Sequence, residues 1–217
     1  MATGGNLPPV TSTTRPSNAP AGKLVYETDS GAVALWNGTN WRHQPGLIAA
    51  QTVATATSSI TFSAIPQVYR DLRLVISAKS DGTAATAGWD SAYMRWNGAA
   101  DSMYLWNTYY LAQGGTAVGV ANTNQVTSAQ CAAVWNSHWP TQGRGIATID
   151  IPEYADPTTL KAFTGTSMAT DGGTAGVLQT YGGGYMTTTP VPITSLTVYL
   201  PGSNFLPDST FKLYGLG

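Results

Sequence analysis

The stretch Lys23-Leu24-Val25-Tyr26-Glu27-Thr28-Asp29-Ser30-Gly31-Ala32-Val33-Ala34-Leu35-Trp36-Asn37-Gly38-Thr39-Asn40-Trp41-Arg42-His43 sets the fold class. Lys23 to Thr28 alternates as a strand, and Asp29-Ser30-Gly31 is a turn. Ala32 to Trp36 is a second strand. Asn37-Gly38 is the strongest short hairpin signal, because both residues tolerate the positive φ of a two-residue turn. Thr39 to His43 opens a third strand. Three short strands bury too little to stand alone. Tyr26, Leu35, Trp36 and Trp41 therefore need a partner surface: the rest of the chain, a copy of it, or another protein.

Upstream, residues 1–22 carry Leu7-Pro8-Pro9, Arg15-Pro16 and Ala19-Pro20. Proline pushes each preceding residue toward extended geometry, so this segment reads as a Pro-rich arm without its own core. Downstream of Pro45-Gly46 the texture stays β to the end. Gln51–Phe62 alternates, Leu72-Arg73-Leu74-Val75-Ile76-Ser77 is nearly continuous apolar strand, and Asp81-Gly82 and Asn97-Gly98 mark turns. Further strands are expected at 92–97, 126–139, 145–151, 160–168, 176–186, 193–200 and 210–214. Eight to ten strands with Gly or Pro clusters between them predict an antiparallel β-sandwich or jelly roll. No stretch has a capped 3.6-residue period. The expected organisation is an arm (1–22), a small β-hairpin module (23–46) and a β-sandwich domain (47–217).

Composition narrows function. Charged residues are 10% of the 217, with four Lys, two Glu and a net charge of -1, against about 25% in an average soluble domain. A protein that binds nucleic acid through phosphates needs a basic surplus, which is absent here. Cys131 is the sole cysteine, so no internal disulfide can form, and it reads as a small buried residue. The first residues have no basic and apolar signal pattern, and no run suits a membrane span. Synthesis in a reducing cytoplasm is expected.

Catalytic chemistry finds few candidates. His43 and His138 are the only histidines, and no Gly-x-Ser-x-Gly elbow or phosphate loop occurs. Two distant His and one Cys do not make a zinc site, so no metal and no cofactor are expected. Gly182-Gly183-Gly184 reads as a loop or sheet bend. Asp29, Asp81, Asp171 and Asp208 sit beside turn residues, where Asp caps the backbone. Asp150 and Glu153 flank Ile151-Pro152 and are the one pair of acids that could converge for hydrolysis. Asn37-Gly38-Thr39 fits a glycosylation sequon, but turn chemistry explains it more simply. Trp89, Tyr93, Trp96, Tyr104, Trp106, Tyr109 and Tyr110, interleaved with Asn97 and Asn107, suit two roles. They could form sandwich core with a subunit interface, or a stacking surface for a host glycan.

Two segments carry a resemblance. Thr11-Ser12-Thr13-Thr14-Arg15-Pro16-Ser17-Asn18, followed by Gly22–Asp29 and Leu35–Trp41, resembles an N-terminal module recurrent in structural proteins of tailed bacteriophages. The run Ile193–Leu196, Gly202–Phe205 and Ser209–Leu216, ending Leu213-Tyr214-Gly215-Leu216, is similar to the closing strands of the same broad group. The resemblance implies a non-enzymatic β-sandwich protein on the virion surface, often a homotrimer. The arm and module would attach it to another virion protein, with Arg15, Pro16, Tyr26, Leu35, Trp36 and Trp41 at the contact. Capsid decoration or a short head fibre is the leading expectation. A minor tail or tail-tip receptor-binding protein and a carbohydrate-binding module are the alternatives.

Overall fold

The computed structural model describes residues 7–83, 88–112, 118–137, 143–170 and 176–217, and the chain is all-β. The N-terminal module is a four-stranded sheet of β1 (Pro9–Val10), β2 (Leu24–Glu27), β3 (Ala32–Trp36) and β4 (Trp41–His43), in that order. Asn37 makes the hairpin: its Oδ1 accepts the amides of Thr39 and Asn40 at 2.9 and 2.7 Å, and Gly38 takes φ +99°. Val25 and Glu27 of β2 point inward, while Leu24 and Tyr26 point out, as period-2 alternation requires.

The arm is not free. β1 pairs with β2 in parallel, with Pro8 O accepting the Tyr26 amide and Val10 O the Thr28 amide. Ser12 donates its amide and hydroxyl to the Asp29 carboxylate, and Gly22 N donates to Trp36 O. Prolines made the segment look unpaired, but Pro8 and Pro9 supply only acceptors here, which an edge strand can use.

The sandwich holds twelve strands: β5 (Gly46–Thr52), β6 (Ser59–Phe62), β7 (Asp71–Ala78), β8 (Trp89–Trp96), β9 (Tyr104–Ala112), β10 (Val118–Val126), β11 (Ala129–Trp135), β12 (Gly145–Ile151), β13 (Lys161–Thr170), β14 (Gly176–Tyr185), β15 (Leu196–Tyr199) and β16 (Thr210–Leu216). Eight form one sheet in the order β10-β9-β14-β13-β12-β7-β16-β5, and four form a second, β11-β8-β15-β6. All pairings in both sheets are antiparallel. The sheets close on one core. Leu74, Ile76, Ile149, Phe163 and Phe211 from the large sheet meet Ile60, Phe62, Met94, Trp96 and Val198 from the small one. Eight strands in one sheet and four in the other do not confirm the jelly roll, which is built of eight strands in two Greek keys.

Several polar groups inside are paired, as burial favours, although the Trp96, Trp106 and Trp135 indole N–H groups and the Thr108 hydroxyl have no hydrogen-bond partner among the described residues. Ser167 Oγ accepts the Ala133 amide and lies 3.0 Å from the Tyr181 hydroxyl, which in turn donates to Gln179. Lys161 is almost fully buried, and its ammonium donates to the carbonyls of Glu153, Asp156 and Thr159, closing the 153–160 loop on β13. Cys131 is buried, and its thiol faces the Ala92 carbonyl.

Gly182–Gly184 lies inside β14, not in a loop or bend. The run is flanked by β13 and β9 on both sides, and Gly183 pairs with Phe163 and Trp106. A Cβ at Gly183 would sit 2.3 Å from the Leu105 carbonyl oxygen and 2.7 Å from the Phe163 ring, so the two neighbours close over a residue with no side chain. Gly183→Val is expected to lower stability by roughly 2–3 kcal/mol through overpacking, read as a reduced midpoint in thermal or urea unfolding.

Candidate functional site

Two surfaces stand out, one on each part of the molecule. The first belongs to the module and is organised by Glu27. Its carboxylate has no solvent exposure. Oε1 is paired with the Arg15 guanidinium, while Oε2 lies 2.8 Å from His43 Nε2 and accepts the Ser30 hydroxyl at 2.8 Å. Burial pushes this carboxyl up, but its bonds to Arg15, His43 and Ser30 outweigh burial and hold it below the ordinary range. The His43 ring lies 5.9 Å from that of Tyr69, which rests against Gly215, where a Cβ would come within 2.2 Å of the Tyr69 ring. One chain of contacts thus joins the arm, the module and the C-terminal strand of the sandwich.

This centre sorts the expected attachment residues. Arg15 is spent inside on Glu27. Trp36 and Trp41 stack on the same inner face with ring centroids 5.5 Å apart, and Trp41 Nε1 donates to the Pro16 carbonyl. Arg15, Trp36 and Trp41 therefore help to build the module's own packing, while the two indoles are half-buried and keep part of their surface accessible. Pro16 is exposed on the arm. Tyr26 (41% exposed) and the half-buried Leu35 do face outward, joined by Leu24, which pairs directly with Leu35 and was not singled out from the sequence. Glu27 was also missed. Its signal is parity: it falls on the same face as Val25, so an acid occupies a core position.

The aromatic cluster is sorted the same way. Trp96, Tyr104 and Trp106 are buried, which removes them as glycan or subunit contacts. Trp96 meets Tyr104, Phe163 and Tyr185 edge-to-face, and the Tyr104 hydroxyl accepts the Trp96 amide at 2.8 Å. Burial raises the Tyr104 pKa. Trp89 is half-buried against a satellite cluster with Trp135, and Tyr93 packs edge-to-face on Trp106 at 6.3 Å. Arg95 covers the neighbouring Tyr199 ring at 4.7 Å. Even-numbered aromatics on β8 and β9 point in, so an i, i+2 spacing that resembled a stacking platform is a core pattern.

Asp150 is held by Arg73 in two bonds of 2.7 and 2.9 Å, and the Glu153 amide is fixed by Asp71. Asp29 and Asp81 cap backbone turns through Ser12 and Asn204. His138 and Asp171 lie outside the described residues. Among the described residues no group of three His, Cys, Asp or Glu could hold a metal ion, and no helix is long and apolar enough to cross a membrane.

The second surface is the outer face of the eight-stranded sheet. Cross-strand register lines up Leu111, Leu178, Met168 and Ile146 in one row over β9, β14, β13 and β12. Each of the four is about half exposed, 47–55%. The next row is Tyr109, Thr180, Thr166, Thr148 and Val75. A hollow of about 260 Å³ lies along these rows, and another of about 500 Å³ lies beside β5, lined by Pro45, Leu47, Arg73, Val75, Tyr214 and Leu216.

No protein-family model matches the chain, and no curated protein or solved structure is significantly similar to it.

The buried carboxylate generates a directional test. Because the folded pKa of Glu27 is depressed, its contribution is complete above the ordinary Glu value of about 4.3 and is lost as pH falls through the lower folded value. Fluorescence of Trp36 and Trp41 is expected to report loosening of the module in that acid window, and Glu27→Gln should flatten the response. At neutral pH, Arg15→Met leaves the carboxylate buried and less compensated, at a cost of roughly 3 kcal/mol, measured by denaturant unfolding followed at the same tryptophans.

Proposed function

We propose that the chain is a non-enzymatic surface protein of a tailed-bacteriophage virion. Its N-terminal module attaches to another virion protein and its β-sandwich is exposed, as capsid decoration or a short head fibre. The observation that carries this reading is the construction of the module. The segments that resemble phage structural proteins fold into one unit, with arm and hairpin locked around Glu27. That unit keeps its own interior and still leaves Leu24, Tyr26 and Leu35 turned outward. A pre-ordered element with a free apolar strip can dock without a large ordering cost, whereas a loose arm would bear that cost on binding.

The fold supports a scaffold role in a second way. Glu27, Asp29, Asp71, Asp81, Asp90 and Asp150 each hold a structural ion pair or hydrogen bond. The titratable groups described above serve turns, ion pairs and loop closure. The carbohydrate reading loses Trp96, Tyr104 and Trp106 to the core and retains the half-buried Trp89, Tyr93 and Tyr110 and the exposed Tyr109.

The test is immuno-gold labelling of purified particles from a phage that encodes the chain. Gold over the head is the expected result. Gold confined to the tail tip would transfer the protein to the receptor-binding alternative, and unlabelled particles would reject virion residence. With Tyr26→Glu and Leu35→Glu combined, the chain should fold but disappear from particles, read by immunoblot after gradient purification.

A further inference from the structure

We propose that the outer face of the eight-stranded sheet is covered by a second copy of this chain. The inference concerns the free protein and does not rest on its location in a virion.

The face has the chemistry of an interface centre. Leu111, Leu178, Met168 and Ile146 are lateral neighbours on four adjacent strands, so their exposed halves form one continuous apolar band. Tyr109, 57% exposed, borders it. Outward positions of β9, β14 and β13 (Asn107, Tyr109, Leu111; Leu178, Thr180; Thr164, Thr166, Met168) carry no charge. Interface centres are depleted in charge and enriched in Tyr and Met, and contiguous apolar patches of this kind are uncommon on monomers.

Size agrees. Eight strands spaced about 4.8 Å apart, crossed by about seven residues at 3.3 Å each, give a face of roughly 900 Å². A stable interface needs about 800 Å² per partner. The sheet alone supplies that area without help from loops.

Electrostatics and hydroxyl chemistry select a copy over other occupants. At the β7–β12 side Arg73 holds Asp150 in two bonds, while Lys212 of β16, the register partner of Val75, adds an exposed charge toward the β5 edge. An anionic membrane or a charged protein partner would find little field to meet, and one lysine near the edge repels an identical face only weakly. The row Thr180, Thr166, Thr148 offers hydroxyls that both donate and accept. A second identical row satisfies them, as Thr61 and Thr197 already do for each other across β6 and β15 at 2.9 Å.

Sedimentation equilibrium of the full chain over a concentration series tests the proposal. The wild type is expected at two or more chain masses, and Met168→Glu combined with Leu178→Glu at the single mass of 22.7 kDa. Thr166→Arg reads the same contact without removing apolar surface, should the double variant fail to fold. Near-UV circular dichroism of the core tryptophans checks folding. Tyr26→Glu, on the module, should leave the oligomer intact. A wild type that stays at one chain mass throughout overturns the proposal. So does an oligomer that survives the folded variants, or one that Tyr26→Glu dissolves while they do not. A monomer that floats with phosphatidylcholine vesicles would give the face to lipid and overturn it as well.

Discussion

A carboxylate with no access to water governs how the N-terminal arm and module of this chain are arranged. Glu27 sits at a core position of a sheet too small to have a core of its own. An ionised carboxylate there must be paired and hydrogen-bonded or it will not stay ionised. The partners come from three places: Arg15 from the arm, Ser30 from the turn after β2, and His43 from the last module strand. The arm is therefore fixed because the carboxylate needs a cation, and β4 because it needs a second donor. His43 then carries the arrangement to Tyr69, and Tyr69 to Gly215. The two ends of the chain, which are also the two segments with a recognisable texture, are tied through one buried acid.

The all-β class was legible because it rests on local chemistry. Asn37-Gly38 and Asn97-Gly98 both lie in turns of the fold, with positive φ at Gly38, Asn97 and Gly98, but the turn between β3 and β4 spans residues 37–40 rather than the expected two, and Asn37 closes it with its side chain. Leu72–Ser77 reads as a strand and is one, at the centre of the large sheet. Its pattern was read as continuously apolar, yet Arg73 and Val75 face outward and only Leu72, Leu74 and Ile76 point in. What was not legible depends on distant neighbours. Gly182–Gly184 looks like a break in isolation and becomes a strand only because Phe163 and Leu105 close over it. The arm looks solvated because its prolines cannot donate. Its pairing needs only the carbonyls of Pro8 and Val10 and a cation-seeking acid, Glu27, on the neighbouring β2.

The same distinction explains the aromatic cluster and the attachment residues. Sequence proximity left Trp89 to Tyr110 open between core and stacking surface, whereas strand parity divides them residue by residue. The period of two ties Tyr104 to Trp106 on β9, but it cannot carry over to Trp96, which lies on β8 of the other sheet. Which face is inward, however, is set by the partner sheet, and no local signal names it. The same holds in the module, where Leu24 and Tyr26 face out only because Val25 and Glu27 are claimed by the interior.

The scarcity of charge acquires a location in the fold. With 10% charged residues the chain has few ions to distribute, and several are committed to structure: Glu27 with Arg15, Asp150 with Arg73, Asp71 with Arg70, Lys161 with three carbonyls. Natural sheets that must remain dispersed place Lys and other charges on exposed positions. Here the broadest exposed sheet face has Thr, Leu, Met and Ile at its centre and spends its one bidentate ion pair internally. A face of hydroxyls and apolar side chains, with Lys212 and the Arg73–Asp150 pair as charges beside it, offers little field to a charged partner. The few ions of the chain are thus concentrated where they hold buried loops and strands together, and the widest sheet face is left with little charge.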